Sequence, residues 1–76
     1  MVTTKPVTAE GIELRPEGLT LVLSDRRISI PWEQCSIRLA KATQHERLTA
    51  QLSPGGYGIH WPLIDEDLAV HGLVQP

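Results

Sequence analysis

The side chains suited to acid–base or metal chemistry lie near the C-terminal end of this chain: His60, Asp65, Asp67 and His71. Imidazole and carboxylate groups are common metal ligands, and a histidine beside a carboxylate can act as an acid–base pair. The spacing of these residues matches no zinc-site pattern, and no partnered nucleophile accompanies them. Carboxylates at Asp65 and Asp67 instead fit the start of a helix, where the positive end of the dipole favours them. The sequence therefore predicts no metal site, no cofactor and no catalytic residue.

Cys35, the single cysteine, is predicted to be a packing residue. It lies on an apolar helical stripe, where a cysteine is usually a small buried hydrophobe. A reactive thiolate would need electropositive surroundings, of which the sequence gives no sign. A single cysteine also rules out an intramolecular disulfide and fits a reducing compartment. No apolar run approaches the length of a membrane span, so we expect a cytoplasmic protein that does not enter a membrane.

The charge balance argues against nucleic acid as a direct partner. Seven basic and nine acidic residues give a net charge of −2 with histidine neutral. No basic run is present, whereas nucleic-acid binding usually leaves a clustered basic footprint. A domain of this size buries only ~60% of its unfolded surface, so a protein partner or a second copy that covers apolar surface is expected.

The elements that must position the candidate residues begin with a hairpin in residues 53–68. Pro54-Gly55-Gly56 is a breaker cluster between two short apolar segments, which is typical of a β-hairpin loop. Alternation in the second strand places Tyr57 and Trp61 on one face and His60 on the other. Pro62 ends that strand, and a short helix is predicted to begin at the acidic triplet that follows.

Earlier in the chain, two helices are predicted. An apolar stripe after Pro31 indicates one helix over about residues 32–41, although Ile37 lies off the stripe. Thr43 and Glu46 have the spacing of a capping box and predict a short second helix directly after Thr43.

The strands complete the fold prediction. Alternating apolar residues predict strands at 11–15, 19–23 and 28–30. The expected fold is α+β, with a small, mostly antiparallel sheet of about four to five short strands and two to three short helices packed on it. We expect a single domain that spans the whole chain, 1–76, with a loose N-terminal segment at 1–9 and a core at 10–74.

The C-terminal motif supports a family resemblance. The run LSPGGYGIHWP at 52–62, followed by IDEDL at 64–68, resembles a small bacterial family catalogued as domain of unknown function 2442. The run ISIPWEQCS at 28–36 is similar to the middle of the family pattern, and the resemblance covers about residues 10–74. Asp25-Arg26 replaces a frequent Asp-Gly in the first hairpin, and Ile37 replaces a frequent proline.

The resemblance implies a compact α+β domain without known catalytic residues. It also implies a short protein encoded beside another small uncharacterised protein, as in a toxin–antitoxin pair in which this family is the antitoxin. The leading hypothesis is therefore a non-enzymatic protein-binding module whose partner is a small, basic, toxin-like protein. Its predicted contact surface joins an exposed sheet edge to Tyr57, His60, Trp61, Asp65, Glu66 and Asp67.

Two alternatives stay open. The first is a DNA-associated regulator that acts as a homodimer or with its partner, although the basic face expected for it is missing. The second is a small metal- or ligand-binding protein that uses His60, Asp65 and His71.

Overall fold

The structure is a computed structural model, and it describes residues 6–74. Within this range the chain has α+β architecture, with six short strands and four short helices. In chain order the elements are β1 (Gly11–Leu14), β2 (Gly18–Val22), β3 (Arg27–Pro31), α1 (Trp32–Cys35), α2 (Ile37–Ala40), α3 (Gln44–Leu48), β4 (Gln51–Leu52), a 3₁₀ turn (Pro54–Gly56), β5 (Gly58–Trp61), β6 (Glu66–Ala69) and α4 (Val70–Val74). None of these helices is long and apolar enough to cross a membrane.

The strands form two three-stranded antiparallel sheets instead of the single larger sheet that was predicted. The first sheet has the order β1-β2-β3 and the second has the order β4-β5-β6. Each sheet is a meander in which neighbours along the chain are neighbours in space, and the three helices between β3 and β4 separate the two meanders. The α+β class and the antiparallel pairing are confirmed, whereas the prediction of four to five strands in one sheet is wrong.

Ser36 divides the predicted long helix into α1 and α2. Its backbone is extended, with φ −168° and ψ 162°, and its Oγ accepts a hydrogen bond from the Leu39 backbone N–H at 3.1 Å. Serine is a favoured N-cap because its hydroxyl satisfies a free N–H of the first turn. Ile37 therefore opens a new helix, which explains why it lies off the apolar stripe. The prediction of one continuous helix is wrong.

The capping box that opens α3 is confirmed. The Glu46 backbone N–H donates to Thr43 Oγ1 at 3.2 Å, and the Thr43 backbone N–H donates to Glu46 Oε1 at 2.8 Å. Both bonds join residues three positions apart, so this helix start depends only on local sequence.

The acidic triplet forms a hairpin, and the prediction of a helix beginning at Asp65 is wrong. Trp61 at the end of β5 pairs with Glu66 at the start of β6. Asp65 lies in the connecting turn with φ 51°, a left-handed conformation that Asp tolerates better than most residues. The Arg38 Nη1 donates to the carbonyl oxygens of both Ile64 and Asp65 at 3.1 Å, which stabilises the turn from outside.

One core joins the two halves of the chain. Trp32 of α1 and Trp61 of β5 meet edge to face, with ring centroids 6.3 Å apart and an interplanar angle of 83°. The Trp32 Nε1 donates to the Arg15 carbonyl at 3.0 Å, and the Trp61 Nε1 donates to the Arg47 carbonyl at 3.1 Å, so both buried indoles are satisfied. The other buried apolar residues are Ala9, Leu19, Leu21, Leu23, Ile30, Leu39, Ile59 and Val70.

The segment before β1 contacts the C-terminal half. Of the predicted loose segment at 1–9, residues 1–5 lie outside the described residues. Ala9 is buried, and its backbone N–H donates to the Gly56 carbonyl at 2.9 Å. The Val7 backbone N–H donates to His71 Nδ1, also at 2.9 Å. Residues 7 and 9 therefore hold the first meander against the second.

Candidate functional site

The outer face of the second sheet carries a shallow groove. Ile59 and Trp61 of β5 point into the core, so His60 between them lies on the face turned away from it. This face holds an open cavity of about 470 Å³ between the β4–β5 loop and β6. We call it the Tyr57 groove after its most exposed aromatic residue.

Small residues leave space in the groove, and Tyr57 stands beside that space. Gly58 of β5 pairs with Ala69 of β6, and both residues line the groove. Tyr57 is 58% exposed. Its ring packs over Gly55, where an added Cβ would lie 2.8 Å from the Tyr57 Cε2 atom. The position of Tyr57 therefore depends on Gly55 in two ways: glycine allows the backbone φ of 81°, and its lack of a side chain leaves room for the ring.

Ser53 closes the loop that carries Tyr57. Its Oγ accepts the Gly58 backbone N–H at 2.9 Å, and its own N–H donates to the Gly58 carbonyl at 2.8 Å. The loop is thus held by side-chain and backbone bonds across its base, so the exposed ring stands on a fixed support.

A polar row crosses the groove. Gln51, His60 and Asp67 occupy directly opposite positions on β4, β5 and β6. His60 Nδ1 and Asp67 Oδ1 are 2.8 Å apart. Both side chains are well exposed, so the pair contributes little to stability and remains accessible to a binding partner.

The backbone of β6 forms the outer edge of this groove. The Val70 N–H donates to the Tyr57 carbonyl at 2.9 Å, which makes these residues a hydrogen-bonded pair. Bonded and non-bonded positions alternate in an antiparallel ladder, so the N–H and C=O groups of Asp67 and Ala69 point away from β5. Within residues 6–74 no other strand pairs with this side of β6.

The structure separates the six residues predicted from the sequence as the contact surface. Tyr57, His60 and Asp67 lie together in the groove. Glu66 lies on the opposite face of β6, and Asp65 lies in the turn.

Trp61 belongs to the core and is fully buried, so it cannot contact a partner while the protein is folded. Its alternation with Tyr57 predicted a shared face, but Tyr57 precedes the strand and projects from the loop.

The structure gives no support to the metal-binding hypothesis. Among the described residues, no three His, Cys, Asp or Glu side chains form a group that could hold a metal ion. His60 pairs with Asp67, whereas His71 accepts the Val7 N–H through Nδ1.

Cys35 is half-buried, and its Sγ lies 3.9 Å from the Ile30 carbonyl oxygen. Burial, and then the nearby Glu33 carboxylate, raise the pKa of its thiol to about 11. The thiol is therefore protonated at neutral pH, which agrees with a packing role.

Sequence reasoning missed Gln51, Ser53 and Ala69 as parts of the groove. Each becomes visible only when β4 and β6 are paired with β5. Residues 66–69 alternate between half-buried and exposed in the structure, but their sequence, Glu-Asp-Leu-Ala, does not alternate between polar and apolar residues, so it gave no strand signal.

Comparison with known proteins identifies a family but no activity. The family described as "Protein of unknown function (DUF2442)" matches residues 10–76. No curated protein matches the chain. A crystal structure of a protein of unknown function from Rhodospirillum rubrum ATCC 11170, at 2.75 Å resolution, is similar with a TM-score of 0.77 and 22% sequence identity. The match covers 92% of this chain and 86% of that chain, and at this identity it shows the fold alone.

Proposed function

The chain belongs to the DUF2442 family of proteins of unknown function, and within that family we propose that it acts as a non-enzymatic protein-binding module. Its site is the Tyr57 groove together with the free edge of β6. The observation that carries the proposal is the exposed Tyr57 ring, held on a fixed loop beside the outward-facing backbone groups of β6.

The groove and the edge suit an extended segment of a partner protein. A partner strand alongside β6 would pair with the backbone groups of Asp67 and Ala69, as in other cases of strand addition, and it would replace the exposed hydrogen bond that the Asp67 N–H donates to Glu66 Oε1 at 3.3 Å. Tyr57 would supply the anchor, since an exposed tyrosine offers a large contact area at little entropic cost. The space over Gly58 and Ala69 would accept a partner side chain.

Charge favours a basic partner. The chain carries a net charge of −2, and the acidic residues Asp65, Glu66 and Asp67 lie along β6 and its preceding turn. Opposite charge accelerates encounter more than it strengthens the final complex. The finer proposal is that the partner is a small, basic, toxin-like protein and that this chain is its antitoxin. Its support is this acidic edge and the resemblance described above.

The test is affinity purification of the tagged protein from its native host at low salt, followed by mass spectrometry. We expect one small basic protein in stoichiometric amount. Tyr57→Ser removes the anchor and should weaken its binding at least about tenfold. Leu48→Ser is the matched control, because Leu48 is also exposed but does not line the groove.

A second variant tests the strand edge. Ala69→Pro removes an N–H that points away from β5, and proline is tolerated on edge strands. We expect the free energy of unfolding to change by no more than about 1 kcal/mol. The affinity for the partner should fall about tenfold. Equal recovery of the partner with wild-type protein, Tyr57→Ser and Ala69→Pro would contradict the proposed site. A growth assay with the recovered partner, alone and with this chain, then tests the antitoxin proposal.

A further inference from the structure

A second groove, which we call the Ile37 groove, lies on the other side of β6. It is an open cavity of about 570 Å³ between α2, α3 and the β5–β6 turn. Ile37 and Ile64 supply its apolar surface. Ile37 is 76% exposed, more than any other large hydrophobic residue in the described chain. An exposed isoleucine beside a second apolar residue is typical of an interaction surface.

This surface is pre-formed. Arg38 holds the carbonyl oxygens of Ile64 and Asp65, and the Ser36 cap fixes the start of α2, where Ile37 stands. Hydrogen bonds made by α2 and its N-cap therefore fix the backbone at both apolar residues. Binding at such a surface loses little backbone entropy, because these hydrogen bonds already fix the backbone.

The charges around this groove are of both signs. Lys41 follows α2 directly and forms no ion pair within residues 6–74. Arg38, Glu46 and Glu66 line the same groove, so it carries two basic and two acidic residues. In a dimer with a two-fold axis, each part of a surface faces a different part of the same surface on the second copy. Basic residues of one copy can therefore face acidic residues of the other. The Tyr57 groove, in contrast, is lined by one acidic residue, Asp67, and by no Lys or Arg, so it suits a different partner.

We propose that the Ile37 groove is a self-association surface and that its occupant is a second copy of this chain. Ile37 of each copy packs into the groove of the other, and Lys41 of each copy faces Glu66 of the other. The accessible surface of the chain is 5015 Å². A typical specific interface covers about 800 Å² per partner, which is roughly one sixth of that area.

The experiment is sedimentation velocity on the full chain from micromolar to millimolar concentration. The expected result is a reversible monomer–dimer equilibrium for the wild-type protein. Ile37→Asp should raise the dimer dissociation constant at least about tenfold, since it removes the apolar anchor and places a charge that must lose its water at the centre of the interface. Tyr57→Ser is the control and should leave the equilibrium unchanged. Thermal unfolding confirms that each variant is folded.

A charge exchange tests the pairing between copies. Lys41→Glu and Glu66→Lys should each weaken the dimer, and the double variant should restore it, because the opposite charges then face each other again. A wild-type chain that stays monomeric over the whole range overturns the proposal and assigns the groove to a different partner. A dimer that Ile37→Asp leaves unchanged overturns it as well.

Discussion

Two glycines in the loop before β5 take positive φ angles, and each is required for a different reason. Gly55, with φ 81°, lies under the Tyr57 ring, which could shift if a methyl group were added. Gly56, with φ 75°, lies against the backbone of Ala9, which cannot shift. The first glycine therefore affects the candidate site, whereas the second affects the attachment of the N-terminal segment.

Gly56→Ala should strongly destabilise the protein. The added Cβ would lie 1.9 Å from the Ala9 carbonyl oxygen, and the backbone angle itself disfavours alanine. We expect a loss of about 3 kcal/mol in the free energy of unfolding, measured by urea denaturation. Gly11→Ala is the control, since nothing lies within 4 Å of an added Cβ there. Equal midpoints for the two variants would contradict the close approach of Gly56 and Ala9.

The Cys35 thiol should react slowly with iodoacetamide. Burial and the Glu33 carboxylate raise its pKa to about 11 from an ordinary value of 9.0. At about pH 8 the thiolate, which is the reactive form, is then about 100-fold scarcer than in an unperturbed cysteine. Mass spectrometry should show a rate that rises about tenfold per pH unit and levels off only near the raised pKa. A plateau near the ordinary pKa would contradict the effect of burial.

At the scale of elements, local signals were sufficient for some parts of the fold and misleading for others. The capping box at Thr43 was predictable because both of its bonds lie within one turn. The helix predicted at Asp65 was wrong because its carboxylates satisfy helix-start preferences, while pairing of Glu66 with Trp61 across the hairpin determines the outcome. The same error hid Ala69 and the contribution of β6 to the Tyr57 groove. Long-range pairing is the information that a local pattern lacks.

Arg47 joins α3 to α2, and its planar group should be essential to that contact. Its Nε donates to the Leu39 carbonyl at 2.9 Å and its Nη2 to the Ala40 carbonyl at 2.8 Å. The guanidinium also lies over the Trp32 ring, 5.9 Å from the centroid. Arg47→Lys keeps the charge but loses the two-point geometry, so the free energy of unfolding should fall by about 1–2 kcal/mol in urea denaturation.

Arg26→Lys is the matched control for this prediction. Arg26 forms an exposed ion pair with Asp25 at 3.3 Å, and such pairs contribute little to stability. A loss of equal size in the two variants would show that the carbonyl contacts of Arg47 are unimportant.

The first sheet should lose stability in acid through Glu13. A hydrogen bond from Arg15 at 2.7 Å, together with the charge of Arg27, lowers the pKa of this carboxyl from its ordinary 4.5. A lowered folded-state pKa gives a stabilising contribution that is present above the ordinary pKa and is lost as the pH falls through the folded-state value. Glu13→Gln should therefore lower stability at neutral pH and flatten its decline in acid. The measurement is the thermal unfolding midpoint of the wild-type protein and of Glu13→Gln as a function of pH. Midpoints that fall in parallel as the pH is lowered would contradict this prediction.

At the scale of the whole molecule, the fold is elongated, with extents of 43 × 21 × 20 Å. Its two grooves lie on opposite sides of β6: Asp67 lines one and Glu66 lines the other. Successive residues of a strand point to opposite faces, so a single short strand serves both surfaces. A partner at the Tyr57 groove and a second copy at the Ile37 groove can therefore bind to the same molecule.

This arrangement predicts a complex of two copies of the chain with two copies of the partner. Light scattering coupled to size-exclusion chromatography should give about twice the mass of a one-to-one complex. Ile37→Asp should halve that mass while the partner stays bound. If the variant instead released the partner, binding at the two grooves would be coupled. That result would contradict the inference that the two grooves, on opposite sides of β6, bind independently.

The contact between Trp32 and Trp61 has an optical consequence. One indole follows the first meander and the other belongs to the second, and they meet nearly at right angles. Electronic transitions of two such neighbouring rings couple, and this coupling produces a paired positive and negative band in the ultraviolet circular dichroism spectrum. The band should disappear when the two meanders separate, even if each retains its strands. The protein thus contains its own probe of whether its halves are assembled.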